Sequence, residues 1–251
     1  MFPFKDNIPT DRFPLVTVGL IVANALMYFL FQKGGISFES PSSPQYTSNL
    51  IDWAAIPYEF SHPGVQCVEA GQDLRCGPGG GGQPATVLTA FSAMFMHGGL
   101  LHLGGNMLFL WIFGNNVEDR MGRPRYLAFY LLGGLVALGA QIAVGPDSAV
   151  PTIGASGAVA GVLGGYLLLY PRARILTLVF IVLRELPAIL VLGFWFLQQV
   201  LFGYFDLSDP EGGGGGVAYF AHIGGFAFGL ITIKLFASGR RRRRRAEQPL
   251  F

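Results

Sequence analysis

The chain has 251 residues, of which 51% are hydrophobic and only 13% charged, and its net charge is +2. Soluble domains carry roughly a quarter charged residues, so this balance excludes an ordinary water-soluble globular protein. The basic residues gather in short segments and a terminal run instead of a folded face, which excludes a typical nucleic-acid binder.

Six apolar blocks of bilayer-spanning length, about 20 residues each, are predicted at 14–32, 97–117, 125–145, 152–170, 186–204 and 217–237. The expected fold class is therefore an all-α membrane protein with six transmembrane helices. Residues 1–13 form an N-terminal segment. The first block is too long for the apolar core of a signal peptide and is expected to be retained. Residues 34–89 form a long loop rich in Pro, Ser and Gly, including the run Gly79–Gly82. Trp53, Ile56, Tyr58 and Phe60 suggest that part of it folds back onto the membrane surface; the other reading is a solvated spacer. Cys67 and Cys76, the only cysteines, lie in this loop. They pair as a disulfide in an oxidising compartment or remain free, and with no second pair they do not suggest a metal site.

The second block carries His97 at its entrance, then His102 and Asn106. The fourth contains Gly154-Ala155-Ser156-Gly157, with Gly157, Gly161 and Gly165 four residues apart. The segment Ile175–Leu183 is apolar but too short to span; Arg184, Glu185 and Pro187 cut it from the fifth block, and it is expected to be an interfacial lead-in. Gly212–Gly216 reads as a flexible linker between the fifth and sixth blocks. The sixth carries His222, Gly225 and Gly229. In the tail, 238–251, Arg240–Arg245 reads as a stop-transfer anchor and a patch for anionic lipid head groups.

Charge sets the expected orientation. Alternate connections carry Lys5 and Arg12, then Arg120, Arg123 and Arg125, then Arg172 and Arg174, then the Arg240–Arg245 tail. The other connections carry Glu39, Asp52, Glu59, Glu69 and Asp73, then Asp147, then Asp206, Asp209 and Glu211. Short basic loops stay cytoplasmic, so both termini are placed inside, and the second, fourth and sixth spans run inward from outside.

Polar residues within spans are costly and are functional candidates by default. Taken singly, Ser156 among small residues reads as helix packing, and an isolated histidine as an interhelical hydrogen bond. The topology changes that reading: His102, Ser156 and His222 each fall shortly after the outer end of an inward-running span. Asn106 follows His102 by one turn and shares its face. A serine hydroxyl needs a base to become a nucleophile, and His222 can supply it. Attack on a peptide carbonyl creates an oxyanion, for which His102, Asn106 and the backbone at Gly154 and Ser156 are candidate donors. No carboxylate occurs at that depth, so a full triad is not available and a Ser-His dyad remains. Gly225 and Gly229, facing Gly157 and Gly161, are expected to let the sixth and fourth spans approach closely.

These residues resemble the rhomboid intramembrane serine proteases. The resemblance runs from Phe91 to Phe236. It rests on His97-x4-His102-x3-Asn106, Gly154-Ala-Ser156-Gly157 and Ala221-His222-x2-Gly225-x3-Gly229, and the segment Asn116–Gly122 is similar in style. It implies a six-helix rhomboid-like bundle with a short central fourth helix. It implies Ser156 as nucleophile, His222 as base, and His102, Asn106 and the Ser156 N–H as oxyanion stabilisers, with His97 structural. It also implies single-span membrane proteins as substrates, no metal or organic cofactor, and a lateral gate at the fifth span around Trp195 and Phe196. The chain departs from the pattern in two respects: Leu88 and Thr89 stand where many members have Trp-Arg, and Ala160 stands where some have an aromatic residue against the histidine. The compact design suggests a bacterial plasma membrane. A catalytically inactive relative is the main alternative, and a transporter, which would call for charged groups or broken helices at mid-membrane, the next.

Overall fold

The computed structural model describes residues 1–36, 41, 43–70, 73–79, 82–208 and 217–237. The Gly212–Gly216 linker, the Arg240–Arg245 run and the middle of Gly79–Gly82 lie outside the described residues.

The chain opens with strand β1 (Phe2–Asp6) and helix α1 (Leu15–Leu26), which ends in a π-helical turn through Phe31. Two short helices follow, α2 (Pro44–Trp53) and α3 (Pro57–Ser61), then the hairpin β2 (Val65–Ala70) and β3 (Asp73–Pro78). Helix α4 (Thr86–Ser92) leads to α5 (Leu100–Phe109), which continues through a π-helical turn into α6 (Asn115–Met121). The remainder is α7 (Arg123–Val144), α8 (Ser156–Leu169), the hairpin β4 (Arg174–Val179) and β5 (Val182–Pro187), α9 (Ala188–Ser208) and α10 (Tyr219–Phe236).

Helices α7, α9 and α10 are each long and apolar enough to cross a bilayer. The stretches Thr86–Phe95 and Leu100–Met121 pass together as one span bent by 79°. Leu15–Phe31 and Ser156–Leu169 are apolar but shorter. At 1.5 Å per residue, the 14 residues of α8 reach only about 21 Å, short of a hydrocarbon core of about 30 Å. This short helix is the centre of the molecule: every residue from Gly157 to Tyr166 is buried, and it packs against α7 and α10.

Glycine sets the closeness of that packing. A Cβ added to Gly225 or Gly229 of α10 would collide with the carbonyl oxygens of Gly157 and Gly161 on α8. One added to Gly157 would lie 2.6 Å from the Ala137 Cβ of α7. Between α6 and α7 the chain reverses at Gly122, whose φ of 83° is a left-handed value that glycine adopts without penalty.

The all-α expectation is corrected between α8 and α9. The segment expected to be an interfacial lead-in is the β4–β5 hairpin, and β1 pairs with β4 to give an antiparallel sheet in the order β1-β4-β5. The run is too short to satisfy its backbone as a spanning helix, and strand pairing satisfies it instead. Ile175 and Thr177 face inward and are fully buried, while Phe180 and Ile181 at the turn are exposed. A polar network ties this sheet to the bundle. The Asp6 carboxylate accepts from Asn116 Nδ2 at 2.8 Å and from the Tyr166 hydroxyl. The Glu118 carboxylate accepts from the Val16 and Thr17 N–H groups at 3.0 and 2.8 Å and from the Thr17 hydroxyl at 2.8 Å. It thereby caps the unpaired first turn of α1.

The 34–89 loop packs on protein. Ile56 is fully buried, and Phe60 packs on Ala55, Ala90, Ala93 and Leu138. Ala55 and Thr152 exchange backbone hydrogen bonds of 3.2 and 2.8 Å, which ties the loop to the segment just before α8. Cys67 and Cys76 face each other across β2 and β3 as a disulfide.

Candidate active site

The segment entering α8 is extended: Thr152 pairs with Ala55, and the helix begins at Ser156. The serine is therefore the first helical residue, in the first turn where its position after the start of the apolar block places it. Its N–H belongs to the set that has no intrahelical partner, at the end of the dipole that favours negative charge. Gly154, just before it, has φ 117°, and a Cβ there would lie 2.8 Å from His102 Nε2 and 3.5 Å from Ser156 Oγ. Its own N–H donates to the Ala93 carbonyl at 2.9 Å. Gly154 thus provides room, and its N–H is engaged by the Ala93 carbonyl in this structure.

His222 is in the first turn of α10. The turn is held by the Ala221 N–H, which donates to Gln141 Oε1 of α7 at 3.2 Å, and by the His222 N–H to the Ala218 carbonyl at 3.2 Å. With α10 drawn against α8 by the glycine contacts, His222 Nε2 lies 2.7 Å from Ser156 Oγ. The other ring nitrogen, Nδ1, is 2.8 Å from Gln199 Oε1 of α9. The Trp195 ring, one turn earlier on α9, lies at a centroid distance of 5.8 Å from the imidazole. An aromatic neighbour therefore reaches the histidine from α9, while Ala160 is small and fully buried.

His102 and Asn106 come from α5. The Gly98 N–H donates to His102 Nδ1 at 3.2 Å, which makes Nδ1 the acceptor and leaves the proton on Nε2, the nitrogen next to Gly154. Asn106 is buried, and its Nδ2 has no hydrogen-bond partner among the described residues. A buried donor without a partner is costly, and here it is available to an incoming acceptor. His97 is fully buried. Its N–H donates to Gln32 Oε1 at 2.9 Å, its carbonyl accepts from Gln32 Nε2 at 3.1 Å and the Tyr46 hydroxyl at 2.8 Å, and its ring packs edge-on to His102 at 5.1 Å. His97 thus ties the start of α5 to α1 and α2. Ser156 and His222 are half-buried and His102 is exposed on the protein surface.

Two residues escaped the sequence reading, Gln141 and Gln199. Both sit in apolar blocks where a polar side chain is a candidate by default, so a signal existed. Their partners on other helices became visible only in three dimensions.

A family model described as a rhomboid domain matches residues 84–239. The chain is 32% identical over 154 residues to a mitochondrial rhomboid protein of Saccharomyces cerevisiae, covering 57% of this chain and 40% of the relative. It is 29% identical over 222 residues to a mitochondrial presenilin-associated rhomboid-like protein of Mus musculus, covering 86% and 47%. A rhomboid protease of Bacillus subtilis is 40% identical over 72 residues, covering 29% and 14%. The chain thus spans less than half the length of these relatives. The matched segment contains the bent second block, the α8 region and α10. By its apolar helices and this match it is an integral membrane protein, and it belongs to the rhomboid family.

Proposed function

We propose that the chain is an intramembrane serine endopeptidase acting through a Ser156–His222 dyad. The observation that carries the reading is the 2.7 Å contact between Ser156 Oγ and His222 Nε2 from two different helices. In this reading His222 removes the hydroxyl proton as Ser156 attacks the scissile carbonyl, then returns it to the departing amine. The Ser156 N–H, His102 Nε2–H and Asn106 Nδ2 receive the oxyanion; loss of one such donor costs about 3 kcal/mol of transition-state stabilisation. Water then releases the acyl group, with His222 again as base.

The substrates in this reading are single-span membrane proteins that reach the site beside α9, whose Trp195 and Phe196 occupy the gate position of the rhomboid pattern. All six apolar blocks cross the bilayer, with both termini cytoplasmic and the outer loop on the opposite side. The relatives' names place two in mitochondria and the third comes from a bacterium, so kinship does not select a plasma membrane. Retention of both serine and histidine favours the protease over an inactive relative.

The test is cleavage of a single-span reporter by purified protein in liposomes. Wild type is expected to release product, and Ser156→Ala and His222→Ala to release none while melting at the wild-type temperature. Cleavage that survives Ser156→Ala would sink the mechanism.

A further inference from the structure

A histidine serves as base toward a serine only when the nitrogen facing the hydroxyl lacks a proton. In the neutral ring either nitrogen carries it, so the tautomer must be chosen by what the other nitrogen meets. In triads a carboxylate makes that choice. Here the partner of Nδ1 is Gln199 Oε1 at 2.8 Å, an amide that presents either an acceptor or a donor depending on how it is turned.

The turn of the amide is itself determined. Gln199 Nε2 donates to the carbonyl of Trp195, one helical turn earlier, at 3.3 Å. A carbonyl only accepts, so the NH2 end must face Trp195 and the oxygen must face His222. The reverse orientation would set two oxygens against each other and offer a donor to Nδ1. That would move the ring proton to Nε2 and leave the serine without a base. Gln199 is buried, so water does not replace it easily, and its neutral side chain avoids bringing an unpaired charge into the bilayer.

We propose that Gln199 is the positioning residue of the dyad: its oxygen, oriented by the α9 backbone, holds the proton on His222 Nδ1 and keeps Nε2 free to accept from Ser156. This rests on the protease reading above and goes beyond it by giving the dyad a third member of neutral charge. The amide and the histidine stand on different helices. The tautomer is therefore held only while α9 lies against α10, where Phe196 also stacks on Phe226 at a centroid distance of 4.5 Å.

The experiment compares wild type, Gln199→Met and Gln199→Glu, with three readouts. These are kcat and KM on the reporter, labelling of Ser156 by a fluorophosphonate, and 15N chemical shifts of His222. Methionine matches the volume but lacks the acceptor; glutamate restores it. Gln199→Met is expected to lower kcat about 30-fold, the effect of losing one well-placed hydrogen bond, with KM within about twofold as for an interaction not used in substrate binding. Its 15N spectrum is expected to move from the Nδ1–H form toward a mixture, and Gln199→Glu to recover most of kcat. Wild-type kcat and an unchanged 15N spectrum in Gln199→Met would overturn the proposal, as would equal loss in both variants with an unchanged spectrum. Wild type that neither cleaves nor labels at Ser156 would instead overturn the protease reading.

Discussion

Around Ser156 each neighbour removes one freedom of a group in the proposed site. Gly98 settles the tautomer of His102, Gln141 holds the first turn of α10, and Gly154 gives space for the His102 ring. Replacing Gly154 with Ala tests the last. The new Cβ would press on His102 Nε2 at 2.8 Å, and φ of 117° is unfavourable for any L side chain. Backbone strain of about 1–2 kcal/mol is small beside the stability of a bundle, whereas a misplaced catalytic group costs about 100-fold in rate. Gly154→Ala is expected to melt within a few degrees of wild type yet cleave about 100-fold more slowly. Normal turnover in this variant would show that the contact with His102 is not needed.

Among the elements, the 34–89 loop illustrates how local polarity is handled. Glu59 is buried, and its Oε1 accepts the Cys67 N–H at 2.7 Å. Burial raises its pKa above the ordinary 4.5, with the Cys67 hydrogen bond opposing the rise. The folded loop therefore binds the Glu59 proton more tightly than the unfolded loop. This contribution to stability is complete below the unfolded pKa and fades as pH climbs through the raised folded value. Amide protection factors in β2 and β3 are expected to fall as pH rises above 4.5 in wild type and to fall less in Glu59→Gln, which keeps the acceptor. The same decline in both proteins would assign the effect to another group. The β4–β5 hairpin shows a different principle: its apolar run suits either a strand or a membrane-surface segment, and pairing with β1, more than 160 residues earlier in sequence, decided for the strand.

For the whole molecule, the central fact is a short helix enclosed by longer ones and held by glycine. Gly229 faces the carbonyl of Gly161 and, at 2.8 Å from its would-be Cβ, the N–H nitrogen of Gly165. Since these are backbone atoms, no rotamer change relieves a larger residue, and α10 must move away from α8. Gly229→Leu is expected to lower stability by more than about 3 kcal/mol, as severe overpacking does. It should also abolish cleavage, because Ser156 and His222 ride on the separated helices. Gly139→Leu on α7, where nothing lies within 4 Å of the added Cβ, serves as the neutral control. Equal melting temperatures for the two variants in detergent would refute this account of the packing.

The sequence by itself determined the solvent and the candidate site. A chain so poor in charge must bury its helices in lipid. A histidine, an asparagine, a serine and a second histidine shortly after the ends of apolar blocks carry a cost that points to function, and the glycine steps marked the faces that approach. Those signals are local in sequence, so composition and spacing record them. Tertiary structure alone decided that the Gly154 N–H is engaged by Ala93, that the apolar run before α9 becomes a sheet, and that the 34–89 loop folds onto the bundle. It also brought Gln199 to His222. Each of these depends on which distant backbone or side-chain group satisfies a hydrogen bond, and that partner is chosen by how the helices pack.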